Sequence, residues 1–452
     1  MPTTRTLTKR ARRSPLTQDV GESAVGTNEE SPVKKSFAAQ IPASVLAILS
    51  LLGFATGWIV TRFQAAMEDF HIDMEVYRAG GRAILDNTPL YDHWFQAGNI
   101  QLPFTYPPFG ALILTPLSMF DFMDSQDSSV AMIYFSSLLM LLCLFLVART
   151  LLGTLIDAPN ALGFTLATAI WPLAMLTEPL WKNAVYTQVN VLIMTLILLD
   201  LLPRKRRIPQ GWLIGIAAAI KLTPAVMLLV FLVRKDWRSI ITAAASAVGA
   251  TAFAALIRPK DTWAYFTSVL YDVNRIGDVG YATNGSFKGA ITRFWPSKQA
   301  ALEAGTLINI LWLACSLVAI AAAYVAIRAL LQRGLLVDAV MVNAALMLLI
   351  SPISWSHHWV WMPLWALVLV WRWWHTNDRP VVLLVGAAVL AALTLYTPPH
   401  WWFGDYFGVE YTFAVWKKFL VMDFTWYAMF FIGVVWWAAR QVPAPTSAVE
   451  GG

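Results

Sequence analysis

Long apolar runs limit what this chain can fold into more than any other feature. They fall at about 41–61, 129–148, 161–177, 183–199, 211–233, 239–257, 304–327, 335–356, 358–374, 381–398 and 421–439. A helix needs about 20 apolar residues to cross a bilayer. The runs are continuous rather than alternating, so they read as helices and not as barrel strands. Of the 452 residues, 58% are hydrophobic and 13% charged, and that charged share is about half the usual soluble value. The expected fold class is an all-α polytopic membrane protein of about 12 transmembrane helices, with an outer-side juxtamembrane helix or loop after the first span.

The net charge of +6 does not point to a nucleic-acid partner. It is shared between an amino-terminal tail (Lys9, Arg10, Arg12, Arg13, Lys34, Lys35) and short loops, as topology requires. Residues 1–38 are expected to be a disordered, basic cytoplasmic tail. Residues 39–440 form the multi-span membrane domain, with outer loops at 62–101, 258–300 and 398–420, and 441–452 are a cytoplasmic tail. The first apolar run lacks a small-residue cleavage site, so no cleavable signal peptide is expected. Cys143 and Cys315 lie inside apolar runs and read as small core residues. Asp338, Arg372 and Asp423 lie near run ends, where snorkelling or a hydrated surface is affordable.

The basic loops around Arg234, Arg328 and Arg372 fit the cytoplasm, and so should the cluster at 204–207. Only one apolar run separates that cluster from Arg234. A bend at Lys221-Leu222-Thr223-Pro224 resolves the conflict, because Pro224 breaks the helix and the two halves enter and leave as a hairpin. Residues 104–120, interrupted by Pro107, Pro108 and Pro116, then form a re-entrant piece on the outer side. Irregular backbone at that depth must line protein or a wet cavity. Both termini are then cytoplasmic. The polar interruptions of the chain, including Asp73, the 177–190 segment, Lys221 and residues 351–361, gather outside.

Those interruptions carry the chemistry. Asp73, between Ile72 and Met74 in the charged segment after the first span, suits a base or an orienting anion if its surroundings are dry. It is otherwise an ordinary loop charge. An ionised Lys221 among apolar residues needs a partner, which is either a lipid-linked phosphate or a carboxylate such as Glu178. Gln188 and Asn190 are suited to gripping hydroxyl groups, or to satisfying helix ends. Asn284-Gly285-Ser286 is a turn signature that also fits the N-x-S pattern. Lys288 and Arg293 suit a phosphate or an anionic headgroup. His357 and His358 are adjacent, so one faces a cavity while the other packs. No His-x-x-His or Asp-x-Asp pattern accompanies them, and no metal is expected. Thirteen of the 22 tryptophans lie from Trp355 onward. Trp355, Trp359, Trp401 and Trp402 read as an aromatic belt or as a clamp for lipid and sugar.

Five features occur in order: DMEVYRAGG with Asp73 and Tyr77; FTYPPFGALILTPL with Tyr106; TQVN with Gln188 and Asn190; GIAAAIKLTP with Lys221; and NGSFKG followed by SPISWSHH. As a set they resemble the polyprenol-phosphate-sugar-dependent transferases of glycosyltransferase family 87, in the GT-C superfamily, over residues 41 to about 440. The pattern is most similar to the actinobacterial branch that builds phosphatidylinositol mannosides. The resemblance implies a metal-independent α-1,2-mannosyltransferase of the plasma membrane without a cofactor. Its donor is polyprenyl-phosphate mannose, and it extends a tetramannoside glycolipid to the pentamannoside with inversion on the outer face. It further implies Asp73 as catalytic base. Lys221, His357, His358, Lys288, Arg293, Gln188, Asn190, Asn284, Tyr77 and Tyr106 are assigned to donor phosphate or sugar. Glu178, Trp355, Trp359, Trp401 and Trp402 are assigned to acceptor or lipid. A monomer is expected. Lipomannan branching or arabinofuranose transfer stays open, as does, in another class, a lipid transporter or flippase.

Overall fold

The computed structural model describes residues 41–67, 71–120, 122–154, 159–203, 205–376, 378–404, 406 and 408–442. The tail at 1–38, Glu68, Asp69, most of 441–452 and the start of the 204–207 cluster lie outside the described residues. Helices dominate. In chain order they are α1 (Ala43–Ala65), α2 (Ile72–Leu85), α3 (Pro108–Leu114), α4 (Ser125–Leu152), α5 (Asn160–Met175), α6 (Glu178–Val185) and α7 (Asn190–Leu201). They continue with α8 (Trp212–Ile220), α9 (Leu228–Val233), α10 (Trp237–Ile257), α11 (Pro259–Thr267), α12 (Phe287–Thr292) and α13 (Lys298–Glu303). The last are α14 (Gly305–Gln332), α15 (Leu336–Ile350), α16 (Met362–His375), α17 (Val381–Leu395), α18 (Val415–Leu420) and α19 (Asp423–Ala439). One small antiparallel hairpin, β1 (Phe95–Ala97) with β2 (Ile100–Leu102), departs from the all-α expectation.

Among the described residues, five helices are long and apolar enough to cross a membrane: α1, α4, α10, α14 and the stretch Val381–Trp401. A sixth arises if α5 and α6, bent by 70°, count as one. Their outer faces are apolar and exposed, as lipid contact requires: Leu51 on α1, Val248 and Leu256 on α10, and Val318 on α14. Shorter apolar helices, among them α7 and α15, are packed inside. Cys143 is buried and meets Thr195 at 3.2 Å. Cys315 is exposed on α14, so it is not the core residue expected.

The bend near Pro224 is present. α8 ends at Ile220, Lys221 is extended (φ −150°, ψ 125°), and Thr223–Met227 forms a 3-10 turn before α9. The nine residues of α8 rise about 14 Å, under half the ~30 Å apolar core, so neither half crosses alone. Arg206 and Arg234 line one cleft together with Gly334, so the two basic loops meet at the same end of the molecule. Lys221 is at the other end of the hairpin. At the basic end, buried Asp200 accepts from Gly211 N (2.7 Å) and Ile214 N (2.9 Å), capping α8. Gly211 has φ +95°, and a Cβ there would lie 2.1 Å from the Ser239 carbonyl oxygen.

A broken helix leaves backbone groups without partners. Here Asn343 of α15 supplies them. Its Oδ1 accepts from Val230 N (3.1 Å) and its Nδ2 donates to the Val226 carbonyl (3.0 Å), the two groups that an unbroken helix would pair with each other. Asp338 and Arg372 correct another expectation. Instead of snorkelling, they form a bidentate buried pair at 2.5 and 2.6 Å. Asp423 likewise turns inward, onto His400.

Candidate active site

α2 begins one residue before Asp73. The segment lies along the 104–118 piece because its two glycines permit close approach. A Cβ on Gly80 would lie 2.5 Å from the Phe104 ring, and one on Gly81 would lie 2.5 Å from Ser118 Oγ. Arg78 secures the contact by donating to the Leu117 carbonyl and to Ser128 Oγ, while Ser118 donates to the Arg78 carbonyl. His71, just ahead of α2, donates from Nδ1 to the Val185 carbonyl at 2.8 Å. That bond ties the start of α2 to the end of α6.

α6 and α7 are joined by Tyr186-Thr187-Gln188-Val189. Thr187 has φ +52°, a costly conformation for a β-branched residue. The turn it makes delivers two amides to one place. Gln188 Nε2 donates to Asp73 Oδ2 at 2.5 Å. Gln188 Oε1 accepts from the hydroxyls of Tyr77 (2.9 Å) and Tyr106 (3.0 Å), which are themselves 2.9 Å apart. A carboxylate only accepts, so the orientation of this amide is fixed by chemistry. Asn190 Oδ1 accepts from Lys221 Nζ at 3.1 Å, and its Nδ2 donates to the His357 carbonyl and to Asn183 Oδ1.

Lys221 therefore has protein partners but no direct carboxylate bond. It donates to Asn190 and to His358 Nε2 (3.1 Å), and sits 5.5 Å from the centre of the Tyr106 ring. Because His358 Nε2 accepts, its proton is on Nδ1. The α3 segment closes tightly on this point: a Cβ on Gly110 would lie 2.8 Å from the Ile220 carbonyl oxygen. The two histidines divide their work. His358, half-buried, faces Lys221. His357 is buried and packs edge-on against Tyr186 at 5.0 Å. Their rings are 4.8 Å apart and perpendicular.

Burial raises the Asp73 pKa from 3.8 to about 6, against the lowering effects of the Gln188 bond and of Lys221. A carboxylate in that range is poised to take a proton near neutrality. Beside Lys221, a groove of about 510 Å³ opens between α8, α9 and α10. Pro107, Ala219, Leu222, Ala225, Ala247 and Phe266 are among its lining residues. The small side chains leave a smooth apolar trough that reaches Leu222, the residue after Lys221.

The remaining candidates lie elsewhere. Asn284 is fully buried. It donates to the Val279 and Pro352 carbonyls and accepts from Ser286 N and Ser354 N, knotting the 258–300 loop to residues 351–354. Its amide is held in that knot. Arg293 is buried too and donates to the Tyr281 and Asn284 carbonyls. Burial lowers its pKa to about 10. Lys288 lies 5.1 Å from the Trp312 ring centre. Trp359 is in the core, donates to the Ser354 carbonyl and packs on Phe424. Trp355 is half-buried against Tyr281, and Trp402 is exposed. The Asn274 side chain, like Asp405, lies outside the described residues.

A second polar group was not read from the sequence. Glu178, at the start of α6, accepts from Trp401 Nε1 (3.0 Å) and lies 3.7 Å from His400 Nε2. His400 Nδ1 donates to Asp423 at 2.9 Å. Nothing local in HWW marks this histidine, since its partners are 223 and 23 residues away from the 400–401 pair. Among the described residues, no group of three His, Cys, Asp or Glu is arranged to hold a metal ion.

A buried carboxylate, an ammonium group and an apolar groove in a many-helix membrane fold fit a membrane-embedded transferase of lipid-linked groups. The comparisons specify which kind. The sequence model of glycosyltransferase family 87 matches residues 104–352. The chain is 32% identical over 392 residues to the polyprenol-phosphate-mannose-dependent α-(1-2)-phosphatidylinositol mannoside mannosyltransferase of Mycobacterium tuberculosis, covering 84% of this chain and 87% of that protein. The Mycolicibacterium smegmatis protein of the same description is 31% identical over 437 residues, covering 90% and 92%. A pentamannoside mannosyltransferase from M. smegmatis is 32% identical over 384 residues, covering 83% and 86%. No solved structure gives a significant match. The chain belongs to glycosyltransferase family 87, and it is a hexosyltransferase of the GT-C type.

Proposed function

We propose that this protein transfers mannose from polyprenyl-phosphate mannose to the 2-hydroxyl of a phosphatidylinositol tetramannoside, giving the pentamannoside. Asp73 takes the proton of the acceptor hydroxyl as its oxygen bonds to the anomeric carbon. The anomeric C–O bond to phosphate breaks, and its electron pair stays on the phosphate oxygen. Attack from the opposite side inverts the anomeric centre, so a β-linked donor gives an α-linked product. Lys221, with His358 beside it, meets the departing phosphate, and the prenyl chain lies in the groove next to Lys221. Gln188 and the two tyrosines orient the base. Trp401 and Glu178 contact the acceptor or the lipid.

The observation that carries this reading is that Asp73 and Lys221 are each hydrogen-bonded to an amide, Gln188 and Asn190, carried two residues apart where α6 passes into α7. The reading includes an outer-face site in the plasma membrane, cytoplasmic termini, about twelve crossings or re-entrant pieces counted from the apolar runs, and a monomer. The shared end of the Arg206 and Arg234 loops supports that orientation through the positive-inside rule.

The test is transfer from radiolabelled polyprenyl-phosphate mannose to purified phosphatidylinositol mannosides by the full-length protein. Labelled pentamannoside is expected, and no labelled product with any acceptor overturns the reading. The pentamannoside transferases among the relatives favour a second acceptor, one mannose longer. Offering both acceptors in the same assay separates the two.

A further inference from the structure

Lys182 belongs to none of the contacts assigned above. It lies on α6, four residues before Tyr186, whose ring touches His357. Residues three or four apart share a helix face, and this face of α6 packs on the 3-10 turn Ser356–His358. The Lys182 ammonium sits 4.6 Å from the centre of the Trp401 ring, whose indole N–H is tied to Glu178. Among the described residues it has no carboxylate partner. It is half-buried rather than solvated. His357 lies in the field of both Lys182 and Lys221. The turn that carries the histidine pair is thus contacted by α6, which bears Lys182, and by Lys221 through His358.

Charge arithmetic gives the second ammonium group a task, on the reading of function above. Before transfer, the donor phosphodiester carries one negative charge and Asp73 another. Afterwards Asp73 holds a proton, and the prenyl phosphate approaches two negative charges. Lys221 alone leaves the site with one uncompensated negative charge throughout, concentrated on the phosphate at the end. Counted over Asp73, the phosphate and the two lysines, with Glu178, His400 and Asp423 taken as a separate bonded group, the total is zero before and after, while the charge moves from Asp73 to the phosphate.

We propose that Lys182 is a second phosphate-binding residue, meeting the departing prenyl phosphate across the histidine pair from Lys221 and favouring the dianionic product-like state over the monoanionic donor. Trp401 holds its ammonium in place until that charge develops.

The experiment compares the full-length protein with Lys182→Met and Lys182→Arg, each shown to be folded by its thermal unfolding. Lys182→Met is expected to lower kcat about ten- to a hundredfold with donor KM little changed, because the lost interaction grows in the transition state. Lys182→Arg should restore most of the rate. Binding of radiolabelled polyprenyl phosphate, measured without acceptor in an Asp73→Asn background so that Asp73 does not titrate in the same range, should tighten between pH 5.5 and 8 as the phosphate takes its second charge (about pH 6). With Lys182→Met added, that tightening should flatten. Unchanged kcat together with unchanged phosphate binding in Lys182→Met overturns the proposal. So does an activity loss matched by lost thermal stability and not recovered by arginine. Absence of mannosyl transfer by the unaltered protein counts against the function reading instead, and the pH-dependent binding comparison still decides the role of Lys182.

Discussion

Gln188 holds Asp73 at 2.5 Å with one end of its amide and two tyrosine hydroxyls with the other. The two residues are 115 positions apart in the chain. The proton affinity of the proposed base is therefore set by a turn that Asp73 does not belong to, and that turn also positions Asn190 against Lys221.

Asp73→Asn keeps the shape and the Gln188 contact but removes the base. Transfer is expected to fall about 10²–10⁴-fold, with thermal unfolding little lowered at neutral pH. Activity of the unaltered protein should rise with pH around a midpoint near 6, the Asp73 pKa. Stability should run the opposite way. The folded-state pKa lies above the unfolded value of 3.8, so the folded state binds the proton more tightly. The stabilisation is complete below about 3.8 and lost as pH rises through about 6. Melting curves of the two forms between pH 4 and 8 check this: the pH-dependent drop should be smaller in Asp73→Asn.

Gln188→Ala removes a bond that lowers the Asp73 pKa. The acid limb of the rate profile should move above about 6. At pH 5.5 the variant should lose more activity than at pH 8. An acid limb left in place would separate Gln188 from the base.

Lys221→Met is expected to cost about a hundred- to a thousandfold in kcat. It also removes the positive charge that favours ionised Asp73, so the residual activity should show an acid limb shifted upward as well. Steady-state kinetics across pH read both effects at once.

Asn343→Leu fills the same space without the amide. Val226 O and Val230 N lose their partners, at a cost of about 1–3 kcal/mol for each group left unpaired. A lower melting temperature is expected, together with reduced transfer, because Lys221 sits on the segment this amide supports. Wild-type values for both would show that the 3-10 turn rewinds without harm.

Several parts of this arrangement were visible in the sequence because they leave local marks. Pro224 after Lys221 announced the break, since proline cannot continue the helical ladder. The charged segment after the first span announced α2. Run boundaries were less visible. The stretch 183–199 reads as one apolar run, but Thr187 turns the chain and α7 starts only at Asn190. Residues 335–356 end as helix at Ile350, because Pro352 and the histidine turn follow. The pairings that fix the site were invisible. Asp338 with Arg372, His400 with Asp423 and Glu178, and Asn343 with the broken hairpin join residues far apart in sequence. A polar residue in an apolar run says that it needs a partner; it does not say which.

The Asn343 amide also sets an order of events during synthesis. Val230 leaves the ribosome 113 residues before its partner. Until Asn343 follows, residues 212–233 have no finished way to satisfy their backbone inside lipid, where each bare peptide group costs several kcal/mol. The segment that carries Lys221 is therefore expected to fold back on itself only when α15 arrives. Lys221 is thus made well before the amide that supports its segment.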